Sequence, residues 1–116
     1  MEDASTMGSA SSLATPVLDD IVRRLVAAYQ PERIYLFGSM ARGDAGPDSD
    51  YDLLVVVADD AEPERSASRR GYEALIGTGY AADILVWRRS AFDVRLSLAA
   101  SLPATVAREG RLLYAA

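Results

Sequence analysis

The feature that most constrains the fold is Tyr51–Ala58, YDLLVVVA, in which every residue from Leu53 onward is apolar. An unbroken, β-branched run of this kind is a strand buried on both faces, and so a central strand of a covered sheet. With 116 residues, half of them hydrophobic, one core can form around it and a second cannot. Helix and strand patterns alternate along the rest of the chain. Thr15-Pro16 reads as an N-cap and first helical position, with Asp19 and Asp20 in the positive first turn. Leu18, Ile21, Val22, Leu25, Val26 and Tyr29 then recur at helical spacing, and Pro31 should stop this helix at Gln30. Arg33–Phe37 reads as a short strand ended by Gly38-Ser39, Met40–Gly43 as one helical turn, and Asp44–Ser49 as a loop.

Beyond the central strand, Glu62–Thr78 reads as a helix with an Arg69/Glu73 pair, and Ala82–Trp87 as another apolar strand. Ser90–Asp93 resembles a capping box opening a helix that Pro103 interrupts. A last turn reaches Arg108, Gly110 suits a C′ cap, and Leu112–Tyr114 reads as a final strand. The expected class is α/β (α+β): a mixed β-sheet of about four strands flanked by helices. Residues 1–15, rich in Ser and Ala, read as a disordered tail, which leaves 16–116 as a single domain.

Composition removes whole chemistries. There is no cysteine, histidine or lysine, so thiol nucleophiles, Ser-His-Asp triads, histidine metal sites and the P-loop are all excluded. Metal or acid-base work must fall to the seventeen carboxylates. A net charge of −5 and a pI near 4.6 argue against coating nucleic acid or an anionic membrane. No run reaches a membrane span and no signal peptide opens the sequence, so the expected location is cytoplasmic.

The chemistry concentrates in Phe37–Val57. Asp50 and Asp52 stand at the mouth of the central strand, where period-two geometry points both carboxylates to one face. Two such groups repel unless a cation lies between them, and hard divalent ions such as Mg²⁺ take these oxygens while keeping positions for water and phosphates. By itself D-x-D is more often merely a polar loop leading into a strand. Upstream, Gly38-Ser39 joins a strand to a helical turn, offering backbone N–H groups, a dipole end and a hydroxyl to a phosphate. By itself this pair reads as an ordinary turn.

Together, G-S-x10-D-x-D is the signature of the DNA polymerase β-like nucleotidyltransferase superfamily, and the sequence resembles it closely. The wording RIYLFGSMARG, then SDYDLLV, and the ending VAREGRLLY resemble the minimal nucleotidyltransferases in particular, over about Val17–Tyr114. The resemblance implies a polymerase β-like fold and a third acidic residue on a neighbouring strand. Asp83 is the only acidic residue in the second apolar strand, where alternation groups it with Leu85 and Trp87. By resemblance, Asp50 and Asp52 bind two Mg²⁺ (or Mn²⁺) ions, and Asp83 completes the first metal site and could accept the attacking hydroxyl's proton. Asp83 could otherwise cap a solvent-exposed strand end.

Arg42 could clamp triphosphate oxygens beside Gly38 and Ser39, or pair with Asp44 or Asp48 on the surface. Arg65, Arg69 and Arg70 could face nucleotide or RNA but read more readily as a solvated helix face, and Tyr35, Tyr51 and Trp87 read as core or rim. The resemblance implies transfer of AMP from ATP to a tyrosine of a HEPN-domain toxin, with the chain acting as its antitoxin. Two other functions remain open: an antitoxin that only occludes its toxin, and a nucleotidyltransferase acting on a small molecule. Aminoglycoside-type enzymes share the motif but normally carry an additional helical domain, which is not expected within these 116 residues. A broken motif would favour occlusion, and here every motif position is filled.

Overall fold

A computed structural model describes residues 16–43 and 50–116, the side chain of residue 65 excepted. The expected tail, the Thr15 cap, the 44–49 loop and the Asp44 and Asp48 partners of Arg42 lie outside the described residues, as does any contact of Arg65.

The central-strand expectation holds. Strand β2 (Tyr51–Val57) lies between β1 (Arg33–Phe37) and β3 (Ala82–Arg88), and β4 (Arg111–Ala115) closes the order β3-β2-β1-β4. β1 is antiparallel to both β2 and β4, while β2 and β3 run parallel, so the sheet is mixed. A parallel pair needs a crossover, and residues 58–81 supply it.

Strand alternation divides the core in two. Leu53, Val55 and Val57 join Ile34, Leu36 and Ile84 beneath helix α1 (Pro16–Tyr29), which contributes Leu18, Ile21, Leu25 and Tyr29. Leu54 and Val56 face the other side with Phe92 and Val106, from helices α4 (Arg89–Val94) and α5 (Leu102–Glu109). Tyr35 stacks on Phe92 at 5.5 Å, Arg95 lies over Trp87, and Tyr51 packs against the larger cluster, all as core or rim. Among the described residues no helix is long and apolar enough to cross a membrane.

Four local expectations need correction. The single helix over Glu62–Thr78 is instead a 3-10 turn (Pro63–Ser66), an extended Ala67, and helix α3 (Ser68–Ala74). Tyr29, wholly buried, explains the break: its hydroxyl donates to Ala67 O at 2.6 Å and accepts from Gly71 N–H at 2.8 Å, so a tertiary bond sets where α3 begins. Gly77 and Gly79, both at positive φ, then turn the chain back toward β3.

The Ser90–Asp93 capping box does not form. Helix α4 begins at Arg89 with Arg88 as N-cap, and the Ser90 N–H donates to Asp59 Oδ1 at 2.8 Å. Pro103 opens α5 rather than interrupting a helix, behind Ser101, whose Oγ accepts from Ala104 N–H. Gly110 follows α5 with φ −86°, not in the left-handed region. Glycine is needed there because a Cβ would lie 2.6 Å from Val106 O and 2.7 Å from Leu36 O.

Candidate active site

The site forms where β1 ends and β2 and β3 begin. In the antiparallel ladder Phe37 pairs with Asp52, and in the parallel ladder Asp52 pairs with Asp83. Register partners of a parallel pair project to the same face, so Asp52 and Asp83 stand side by side. They share that face with Leu54 and Val56, which puts the acidic pair at the end of the smaller apolar cluster. Tyr51 N–H donates to Ala81 O at 3.0 Å, fastening the mouth of β2 to the approach of β3. Asp50 lies one residue outside β2 and is exposed.

After Phe37 the chain turns at Gly38 into the short helix α2 (Gly38–Arg42), closed by Gly43 in the left-handed region. Gly38 has φ +74°, and a Cβ on it would lie 2.2 Å from Asp52 Oδ2. The glycine of the Gly-Ser pair therefore makes room for the carboxylate of the D-x-D pair. Sequence reasoning assigned that space to a phosphate and missed this contact, because the opposition of Phe37 and Asp52 is a matter of register. Ser39 is half-buried in the first turn of α2, where no side chain caps the N-terminus.

The electrostatics of the pair are unbalanced. Burial raises the pKa of Asp52, the charges of Asp83 and then Asp50 raise it further, and Arg42 pulls it back. Asp52 thus feels both other carboxylates, with Arg42 acting against them. Among the described residues no three acidic side chains close into a ready-made metal cage. Asp50 stands outside the ladder, and one oxygen of Asp83 is already engaged.

That engagement is the residue sequence reasoning missed. The Tyr72 hydroxyl donates to Asp83 Oδ1 at 2.9 Å and accepts from Ile84 N–H at 3.1 Å. Nothing in the spacing of α3 signals a contact with a strand eleven residues on. The other basic candidates stay away from the carboxylates. Arg69 pairs with Glu73 at 3.8 Å on an exposed face, and Arg70 Nε donates to Ala28 O at 2.6 Å.

The described geometry is the setting in which relatives become informative. The model of the nucleotidyltransferase domain matches residues 18–102. No curated protein matches the chain. The fold is similar to that of a candidate nucleotidyltransferase from Sulfolobus solfataricus, with TM-score 0.58 and 22% identity over 91% of this chain and 85% of that one. It is also similar to a toxin-antitoxin complex crystallised with AMP-PNP, with TM-score 0.55 and 20% identity over 84% of this chain and 73% of that one. A mutant of the MntA-HpeT toxin-antitoxin pair gives TM-score 0.52 and 19% identity over 82% of this chain and 71% of that one. At these identities the structures speak for the fold, whereas the domain model covers most of the sequence, including Gly38, Ser39, Asp50, Asp52 and Asp83. The chain belongs to the nucleotidyltransferase domain family.

Proposed function

We propose that residues 16–116 form one nucleotidyltransferase domain that moves AMP from ATP to a protein hydroxyl, a tyrosine of a HEPN-domain toxin, and that the chain acts in the cytoplasm as that toxin's antitoxin. The observation that carries this reading is the register pairing of Asp52 with Asp83 beside Gly38. The toxin-antitoxin complexes of similar fold, one of them holding AMP-PNP, support the choice of nucleotide and partner.

The residues fit a divalent cation on their own chemistry. An all-carboxylate oxygen set suits Mg²⁺ or Mn²⁺, and the pKa of Asp52 is raised by burial and by the like charges of Asp83 and Asp50, with Arg42 opposing them. Asp50 and Asp52 would hold the ions, with Asp83 completing the set. When bound, Mg²⁺ supplies charge neutralisation for the triphosphate and for the departing pyrophosphate.

The chain's own groups do the rest. Ser39 donates to triphosphate oxygens, Gly38 lets them approach its backbone beside the Asp52 carboxylate that fills the place of its missing side chain, and Arg42 offers a guanidinium fork. The acceptor hydroxyl oxygen bonds to the α-phosphorus as the bond to the α,β-bridging oxygen breaks. Pyrophosphate leaves, and the hydroxyl proton passes to the Asp83 carboxylate. Intact-mass spectrometry of the partner toxin, co-expressed with the chain, tests the reading. Mass increments of whole AMP units are expected, and they should vanish with Asp83→Asn while the complex persists. A partner that is silenced with its mass unchanged would instead establish neutralisation by binding alone.

A further inference from the structure

Tyr72 projects from α3, which packs against α1 and β3, and it is 42% exposed. β3 is an edge strand, so N–H groups facing away from β2 have no ladder partner. That of Ile84 is taken by the Tyr72 hydroxyl at 3.1 Å, and the hydroxyl in turn donates to Asp83 Oδ1 at 2.9 Å. A phenol has one proton. Because the backbone N–H already donates to its oxygen, that proton is committed to the carboxylate.

Asp83 is exposed, and packing alone would leave an exposed aspartate free to exchange rotamers. Here a ring anchored at both its helix and the strand backbone removes that freedom and occupies Oδ1, which leaves Oδ2 for a ligand. We propose that Tyr72 is a positioning residue that aims Asp83 at the cation and nucleotide. This rests on the role given to Asp83 above. Partners of this kind, which orient a metal-binding carboxylate without touching the metal, typically matter 10–100-fold in affinity or activity. Tyr72 also shields part of the free edge of the sheet, but that structural task does not require its proton to be on Asp83.

A double-mutant cycle separates the two roles. Calorimetric titration with Mn²⁺ and ATP is run on the wild type, Tyr72→Phe, Asp83→Asn and the double variant, with melting temperatures recorded alongside. Phe keeps the ring but takes the acceptor from the part-buried Ile84 N–H, a structural cost that the melting temperatures report and that should be the same in the wild-type and Asp83→Asn backgrounds. Tyr72→Phe should weaken Mn²⁺–ATP binding about 10–100-fold. In transfer assays it should lower kcat more than it raises the KM for ATP. In the Asp83→Asn background the same change should add nothing. A purely structural Tyr72 would act equally in both backgrounds, and that result overturns the positioning role. Wild-type affinity in Tyr72→Phe, with weakened binding in Asp83→Asn, overturns it too while leaving the transferase reading intact. No Mn²⁺–ATP binding by the wild type would overturn the transferase reading and the positioning role together.

Discussion

The two ends of the β2–β3 pair are built on opposite electrostatic principles. At the far end, Val57 pairs with Arg88, and both Arg88 and Asp59 find hydrogen-bond partners. Arg88 donates to Asp59 O at 2.7 Å and Ala61 O at 2.9 Å, and reaches Ser66 Oγ at 3.3 Å. Asp59 accepts the Ser90 N–H, which lowers its pKa. At the near end, Asp52 sits beside Asp83 and close to Asp50, and burial and like charge raise its pKa. One end gains stability from its charges. The other holds charges that destabilise the free protein, which is the pattern expected where a ligand completes the site. Arginine against backbone carbonyls fastens a crossover, whereas carboxylate against carboxylate waits for a cation.

Asp52→Asn breaks the contrast most severely. Nucleotide transfer should fall by orders of magnitude, since the amide removes charge from the set proposed to hold the ions. The free protein should melt higher, on the order of a few degrees, because a partly buried charge beside two like charges is gone. Activity and melting curves measured on one preparation check both. Equal loss of both would mean that Asp52 is structural.

Gly38→Ala comes next. The added Cβ meets Asp52 Oδ2 at 2.2 Å, so the carboxylate must swing away, and at φ +74° the backbone is strained by about 1–2 kcal/mol. Urea unfolding should show that loss, and ATP affinity should drop with it. Arg88→Met probes the answered end. Losing charge-assisted bonds to the carbonyls after β2 should cost about 1.5–3 kcal/mol while kcat stays near the natural value, as denaturation and transfer assays would report.

The smallest effect is in pH. Asp59, with a lowered folded pKa, adds stability that is complete above its unfolded value near 3.8 and is lost as pH falls through the lower folded value. Asp52, with a raised folded pKa, does the reverse. Its contribution is complete below 3.8 and is lost as pH rises through the higher folded value. Melting curves across the acid range should therefore respond in opposite directions to Asp59→Asn and Asp52→Asn in the metal-free protein.

Much of the site was legible because its parts are local. Gly38-Ser39 and Asp50-x-Asp52 lie within one short stretch, and Asp83 stood out as the one acid in an apolar strand. The apolar run from Leu53 likewise announced the central strand. What stayed hidden depends on register and tertiary bonds. That Gly38 faces Asp52 follows from Phe37 pairing with Asp52, which no spacing reveals. The start of α3 is set by the Tyr29 hydroxyl, and the N-terminus of α4 is served by Asp59 instead of its own Ser90–Asp93 box. Tyr72 reaches Asp83 around the edge of β3 from a helix whose pattern gives no hint of it.

If the acidic mouth of β2 holds a cation and a nucleoside triphosphate, the two should bind together. Calorimetry decides this by titrating ATP into the natural protein and into Asp50→Asn with Asp52→Asn, each with Mg²⁺ and with a chelator. The natural protein should bind in Mg²⁺ only, and binding should be lost or weakened at least tenfold in the double variant. Equal affinity in the chelator, or an unchanged affinity in the double variant, would contradict it.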